Sequence, residues 1–205
     1  MCPFVADDEA VGMGGTIAKY VKEKDKIIKV VFSGGEKSLP HIQEQIVRKA
    51  RNKETDKASL FIGIQESKNF GLKDTKLKSE TQKPFVKKRV KELIMSYRPN
   101  KIYLPSALDP HPDHQAVNST VLEVVDSMKK HYPVYAFEVW NIINETHPQV
   151  YVDISNYMDQ KMEYIKMFKS QWIYMFTLYL PAFFRSVYYG RKSKYKYAER
   201  FYKLR

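Results

Sequence analysis

Residues 101–114 read Lys-Ile-Tyr-Leu-Pro-Ser-Ala-Leu-Asp-Pro-His-Pro-Asp-His. The first five, Lys101 to Pro105, predict a buried strand. Pro110 and Pro112 then hold Asp109, His111, Asp113 and His114 on a rigid loop, because a proline-rich stretch is neither a helix interior nor a central strand. Open α/β sheets carry their sites just past the C-terminal ends of such strands. Taken alone, the stretch is equally well an acidic turn with two solvated histidines. A second cluster near the other end of the chain weighs against that reading.

The rest of the chain alternates around this strand. Residues 12–24 predict a helix, and Lys26 to Phe32 a strand ended by Ser33-Gly34-Gly35. Residues 39–57 predict a helix, with Ile42, Ile46, Val47 and Ala50 at helical spacing. Ser59 to Ile64 follows as a strand. Residues 80–97 form a helix with Val86, Val90, Leu93 and Ile94 inward, stopped before Pro99. A helix over 114–130, strands at Tyr135–Trp140 and Gln149–Asp153, and a helix over 156–171 complete the pattern. Such alternation implies parallel βαβ units. The expected fold is one α/β domain over residues 1–205, a Rossmann-like, mostly parallel sheet with helices on both faces.

The second cluster is Val5-Ala6-Asp7-Asp8-Glu9-Ala10-Val11-Gly12-Met13-Gly14-Gly15-Thr16. Carboxylates suit a helix N-terminus, where the dipole favours anions. Adjacent aspartates repel each other, however, so a bound cation is a good reason to keep two together. Phe4 and Val5 end a strand with almost nothing before them; either the first strand is stunted or the chain starts upstream.

Length, charge and cysteine count set the outer bounds. The chain's 205 residues are enough for one domain with a sizeable core. The single cysteine, Cys2, excludes an internal disulfide framework and fits a reducing compartment. No secretory signal pattern opens the chain, so a cytoplasmic location is expected. The net charge of +12, from 35 Lys+Arg against 23 Asp+Glu, favours anionic partners, although the lysines are scattered as on a solvated surface.

Together the two clusters resemble the PIG-L/LmbE-like family of zinc-dependent N-deacetylases. That family carries a His-Pro-Asp-Asp-Glu motif before a Gly-Gly-Thr helix, then His-Pro-Asp-His about a hundred residues later. Here His111-Pro112-Asp113-His114 is complete, whereas Val5 and Ala6 stand where the first motif has histidine and proline. Weaker similarities run in the same order along the chain: Arg51 to Glu54, Phe70 to Asp74, Glu138-Val139-Trp140, Val152-Asp153-Ile154, Lys169-Ser170-Gln171, Arg185 with Gly190, and Tyr197 to Phe201. They are strongest in the thiol-biosynthesis N-acetylglucosaminyl deacetylase branch.

The resemblance implies a zinc ion, or another divalent metal, held by Asp8 and His114. Its third ligand would stand at Val5, which has no donor atom. Asp7 matches the general base and His111 the residue that stabilises the oxyanion. Arg51 is a candidate for a sugar hydroxyl or phosphate, and Asp74 lies in the substrate-proximal loop. Asp113 either fixes the tautomer of a neighbouring imidazole or caps its own loop. The implied activity is hydrolytic removal of an N-acetyl group from an N-acetylglucosamine-type conjugate. The alternative is a catalytically impaired member that binds a sugar conjugate or an anion without turnover. His41 and His131 read as exposed, and His147 as a loop residue.

Residues 172–184, Trp-Ile-Tyr-Met-Phe-Thr-Leu-Tyr-Leu-Pro-Ala-Phe-Phe, are too few to span a bilayer. They pack as core or as the interface of a homo-oligomer, line the substrate cleft, or rest on a membrane surface. The basic, tyrosine-rich run 191–205 has the composition of a nucleic-acid tail, but no nucleic-acid-binding motif accompanies it.

Overall fold

Ile28 to Ser33 is buried along its whole length, as a strand covered on both faces must be. This is strand β2. The computed structural model describes residues 2–5, 7–37, 43–140, 142 and 146–205. His41 and the start expected for the second helix lie outside them.

Strand β1 (Cys2–Val5), β2 and β3 (Glu66–Leu72) form a parallel three-stranded sheet in the order β1-β2-β3. A four-stranded sheet has the order β4-β5-β7-β6, from β4 (Ile102–Pro105), β5 (Val134–Phe137), β6 (Gln149–Asp153) and β7 (Ala198–Lys203). Its β4–β5 pair is parallel, and β7 runs antiparallel to both β5 and β6. Strands β1 and β4 lie in contact where the two sheets adjoin. The α/β class is as expected. The single sheet is not: among the described residues there are two small sheets, and the second is mixed because the chain returns to insert β7 between β5 and β6.

The helices are α1 (Asp8–Lys22), α2 (Glu44–Ile62), α3 (Leu77–Glu80), α4 (Pro84–Tyr97), α5 (Pro112–Asp126), α6 (Met158–Lys166) and α7 (Trp172–Ser193). They build two apolar clusters. One takes Ile17 from α1, Ala58 from α2, Ile165 from α6 and Ala182 from α7. The other takes Val90 from α4 and Val121 from α5. Successive strand residues feed opposite clusters: Tyr103 and Phe201 the first, Leu104 and Tyr202 the second. This is the two-residue alternation of a strand packed on both faces.

Three expectations change. Ser59 to Ile62 is the last turn of α2, not a strand. Gly63, at φ +87°, closes that helix; its N–H donates to Ser59 O at 3.1 Å, and the Ile64 N–H donates to the same oxygen at 2.8 Å. A short apolar run suits a helix end and a strand alike; the left-handed glycine decides between them. Phe70 to Leu72 belongs to β3, so the loop expected over Phe70 to Asp74 begins only after Leu72. Residues 172–193 are helix α7 with Pro181 inside it. The basic tail then enters the sheet as β7, where Phe201 and Tyr202 are fully buried, so those rings are not offered to a nucleic acid for stacking. Among the described residues, no helix is long and apolar enough to cross a membrane.

Candidate active site

Five strands deliver their C-terminal ends to one place. Asp7 and Asp8 follow β1, Gly35 and Lys37 follow β2, Asp74 and Thr75 follow β3, His111 and His114 follow β4, and Val139 and Trp140 follow β5. All of them line one cavity of ≈ 270 Å³. Its floor is charged, and Val11, Val139, Trp140 and Leu178 form an apolar wall.

Asp8 opens α1, and His114 sits in the first turn of α5 after Pro112 at its N-terminus. Both are buried, and His114 Nε2 lies 3.0 Å from Asp8 Oδ2. The other ring nitrogen, Nδ1, lies 2.8 Å from Asp109 Oδ1. Burial opposes a charge on this ring, yet the two carboxylates outweigh it and raise the His114 pKa to about 10. Burial likewise works to raise Asp109, but the hydrogen bond from His114 leaves it below the usual carboxylate range.

Asp7 is partly exposed and accepts from Arg51 Nη2 at 2.8 Å. Burial raises its pKa against the pull of Arg51, and neighbouring Asp8 adds to the rise. The second guanidinium nitrogen, Nη1, donates to Gly35 O at 2.7 Å. Gly35 has φ +63°, and a Cβ there would stand 2.1 Å from Arg51 Nη1. A glycine is therefore needed both for the backbone and for the guanidinium. His111 caps α5: its Nδ1 accepts the Asp113 N–H at 3.2 Å, which places the proton of a neutral ring on Nε2.

Two expected roles change. The Asp113 carboxylate accepts from Thr75 N at 2.8 Å and Leu77 N at 3.1 Å, tying the loop after β3 to α5, and it is the backbone N–H of Asp113 that meets an imidazole, that of His111. The carboxylate that orients His114 is Asp109. It also accepts from His111 N at 3.0 Å and from Trp140 N at 3.3 Å. An Asp-Pro-His sequence does carry a signal for this, since an aspartate readily accepts from the N–H two residues on. Arg51 lines the cavity but spends two donors on Asp7 and Gly35. Asp74 also lines it, and its carboxylate accepts from Lys37 N at 3.0 Å and Thr75 N at 3.0 Å, bracing the loops. His131 and His147 line other surface depressions.

The pair Asp8–His114 has the donor chemistry of a divalent-metal site: a carboxylate oxygen and an imidazole backed by a second carboxylate. Catalytic zinc sites draw three protein ligands. Among the described residues no group of three His, Cys, Asp or Glu is arranged to hold a metal. Asp8 and His114 are the side chains in the cavity that would hold a divalent metal.

The family profile described as PIG-L, GlcNAc-PI de-N-acetylase, matches residues 6–125. The chain is 24% identical over 211 residues to diacetylchitobiose deacetylase of Thermococcus kodakarensis, covering 94% of this chain and 78% of that protein. It is 24% identical over 181 residues to the probable N-acetyl-alpha-D-glucosaminyl L-malate deacetylase 2 of Bacillus anthracis, covering 80% of this chain and 77% of that one. Among solved structures, GalB, the 4-carboxy-2-hydroxymuconate hydratase of Pseudomonas putida KT2440, superimposes with a TM-score of 0.83 at 20% identity, over 100% of this chain and 94% of that one. That likeness shows the fold alone; a shared fold hosts different chemistries.

Proposed function

The chain belongs to the PIG-L family of GlcNAc-PI de-N-acetylases, and on that premise we propose that it hydrolyses the N-acetyl group of an N-acetylglucosamine-type conjugate, with a divalent metal held by Asp8 and His114. The observation that carries this reading is the convergence of Asp8 Oδ2 and His114 Nε2, 3.0 Å apart, in the cavity that also holds Asp7. When bound, a divalent metal polarises an amide carbonyl and makes a water more acidic.

The protein's own groups supply the proton transfers. Asp7 takes a proton from the attacking water and returns it to the departing amine; its raised pKa brings it nearer the working pH, as a group serving both roles requires. Arg51 orients that carboxylate and keeps it available as a base. His111, with its proton on Nε2, donates to the oxygen on which charge develops. The wall of Val139, Trp140 and Leu178 gives the sugar an apolar surface to lie against. Asp109, invisible to the substrate, holds the His114 ring in place.

Acetate release from N,N'-diacetylchitobiose and from the N-acetylglucosaminyl malate conjugate tests the proposal. Release that stops with a chelator and in Asp7→Asn supports it. Release indifferent to the chelator, or none from either substrate, contradicts it. A second reading, a sugar-conjugate binder without turnover, is favoured by one observation: Val5, at the end of β1 beside Ser33, offers no third ligand. Saturable sugar binding by the wild type without acetate release, with release appearing in Val5→His, would establish that second reading.

A further inference from the structure

Helix α1 is broken at Met13, where φ is −148° and ψ 19°. The short piece ahead of the break carries Asp8. A piece this short is not stable alone, so something outside it must fix its position. In an unbroken helix the Gly15 N–H would bond the Val11 carbonyl. Here each finds a side chain from the far end of the chain. Gly15 N donates to Glu199 Oε1 at 3.0 Å, and Thr16 N donates to Glu199 Oε2 at 2.7 Å. The Val11 carbonyl accepts from Arg185 Nη2 at 3.2 Å.

Arg185 has a second attachment. Its Nη1 donates to Val139 O at 3.0 Å. The next residue, Trp140, donates its N–H to Asp109 Oδ2 at 3.3 Å, and Asp109 Oδ1 meets His114 Nδ1 at 2.8 Å. His114 Nε2 lies 3.0 Å from Asp8 Oδ2. The contacts close a ring: Asp8, Val11, Arg185, Val139, Trp140, Asp109, His114 and back to Asp8. Arg185 is the one side chain in it that bridges the element bearing Asp8 and the strand end that supports His114. It is buried on α7, beyond the segment 6–125 that the family profile matches.

We propose that Arg185 is a positioning residue that sets the placement of Asp8 relative to His114. A planar fork with two divergent donors suits the task, and a lysine's single ammonium does not reproduce that fork. The part of the test that uses a metal rests on the assignment of Asp8 and His114 as its ligands.

The experiment compares Arg185→Lys and Arg185→Gln with Val90→Ala, a core substitution in the other apolar cluster that lowers the melting temperature without touching the ring. Arg185→Gln puts no charge at position 185, so it keeps the test open if the lysine variant does not fold. Zn2+ affinity is read by competitive titration, and amide exchange over residues 8–12 is read in metal-free protein. The expected result is zinc affinity weakened by about tenfold or more relative to Val90→Ala, with faster exchange over 8–12. Affinity equal to that of Val90→Ala, with residues 8–12 as protected as in the wild type, would overturn the proposal. If the wild type binds no zinc, the metal assignment fails, and the exchange comparison by itself decides the role of Arg185.

Discussion

The imidazole of His114 is gripped from both sides, by Asp8 on Nε2 and Asp109 on Nδ1. The two carboxylates do different work. Asp8 lines the cavity and in the proposed reading is the metal donor, whereas Asp109 fixes the ring's rotation and makes Nε2 more basic. Asp109→Asn keeps the shape and removes the charge. It is expected to weaken zinc binding by about 10–100-fold, measured by competition with a chromophoric chelator. Unchanged affinity would mean that Asp109 is only a loop brace. At this scale the sequence reads well where a motif fixes spacing: Asp7, Asp8, His111 and His114 all reach one cavity. It reads poorly where two carboxylates flank the same histidines. Asp109 and Asp113 are chemically alike and both near His114 in sequence. Only the path of the backbone through Pro110 and Pro112 turns one towards the ring and the other towards the Thr75 and Leu77 amides.

Among the elements, the end of α2 shows what local pattern leaves open. Ser59-Leu60-Phe61-Ile62 resembles a strand in composition, yet Leu60 is 81% exposed and Phe61 47%, while Ala58 and Ile62 are buried. The buried spacing is that of a helix, and Gly63 stops it. Gly63→Ala forces a side chain into a left-handed backbone and sets a Cβ 2.6 Å from Val21 Cγ1. A loss of about 1–2 kcal/mol is expected from the backbone alone, checked by the denaturant midpoint. No loss would mean that the turn relaxes at no cost. Strand β7 was hidden for a different reason. Its partners β5 and β6 lie far back in the chain, and nothing local in a Lys/Tyr-rich segment marks a central strand. Its burial is a tertiary decision, supported by the ion pairs Glu199–Lys161 and Glu138–Arg200.

For the whole molecule, the alternation of strands and helices was sufficient to predict the α/β class and the gathering of loops at one end of the strands. The mixed character of the second sheet was not predictable, because it depends on the antiparallel return of β7. The same assembly links stability to pH. His114 rises from an ordinary 6.5 to about 10 in the folded, metal-free protein. The folded state then binds more protons than the unfolded one between those values. The contribution of His114 is present in full below pH 6.5 and is lost as pH rises through about 10. Asp109 has the opposite sense: its lowered pKa contributes stability that is lost on acidification. Denaturant titrations across this range should show metal-free stability falling with pH by up to about 1.4 kcal/mol per unit, a slope absent in His114→Ala. A slope that persists in His114→Ala would place the proton elsewhere. A metal competes with that proton, so zinc affinity should rise as pH rises over the same interval.

The most direct measurement is the zinc content and affinity of the purified wild-type chain, by elemental analysis and competitive titration at neutral pH. Near-equimolar zinc that is lost in both Asp8→Ala and His114→Ala is the predicted result. Absent zinc, or zinc that survives both substitutions, would contradict a metal-dependent hydrolase built on this pair.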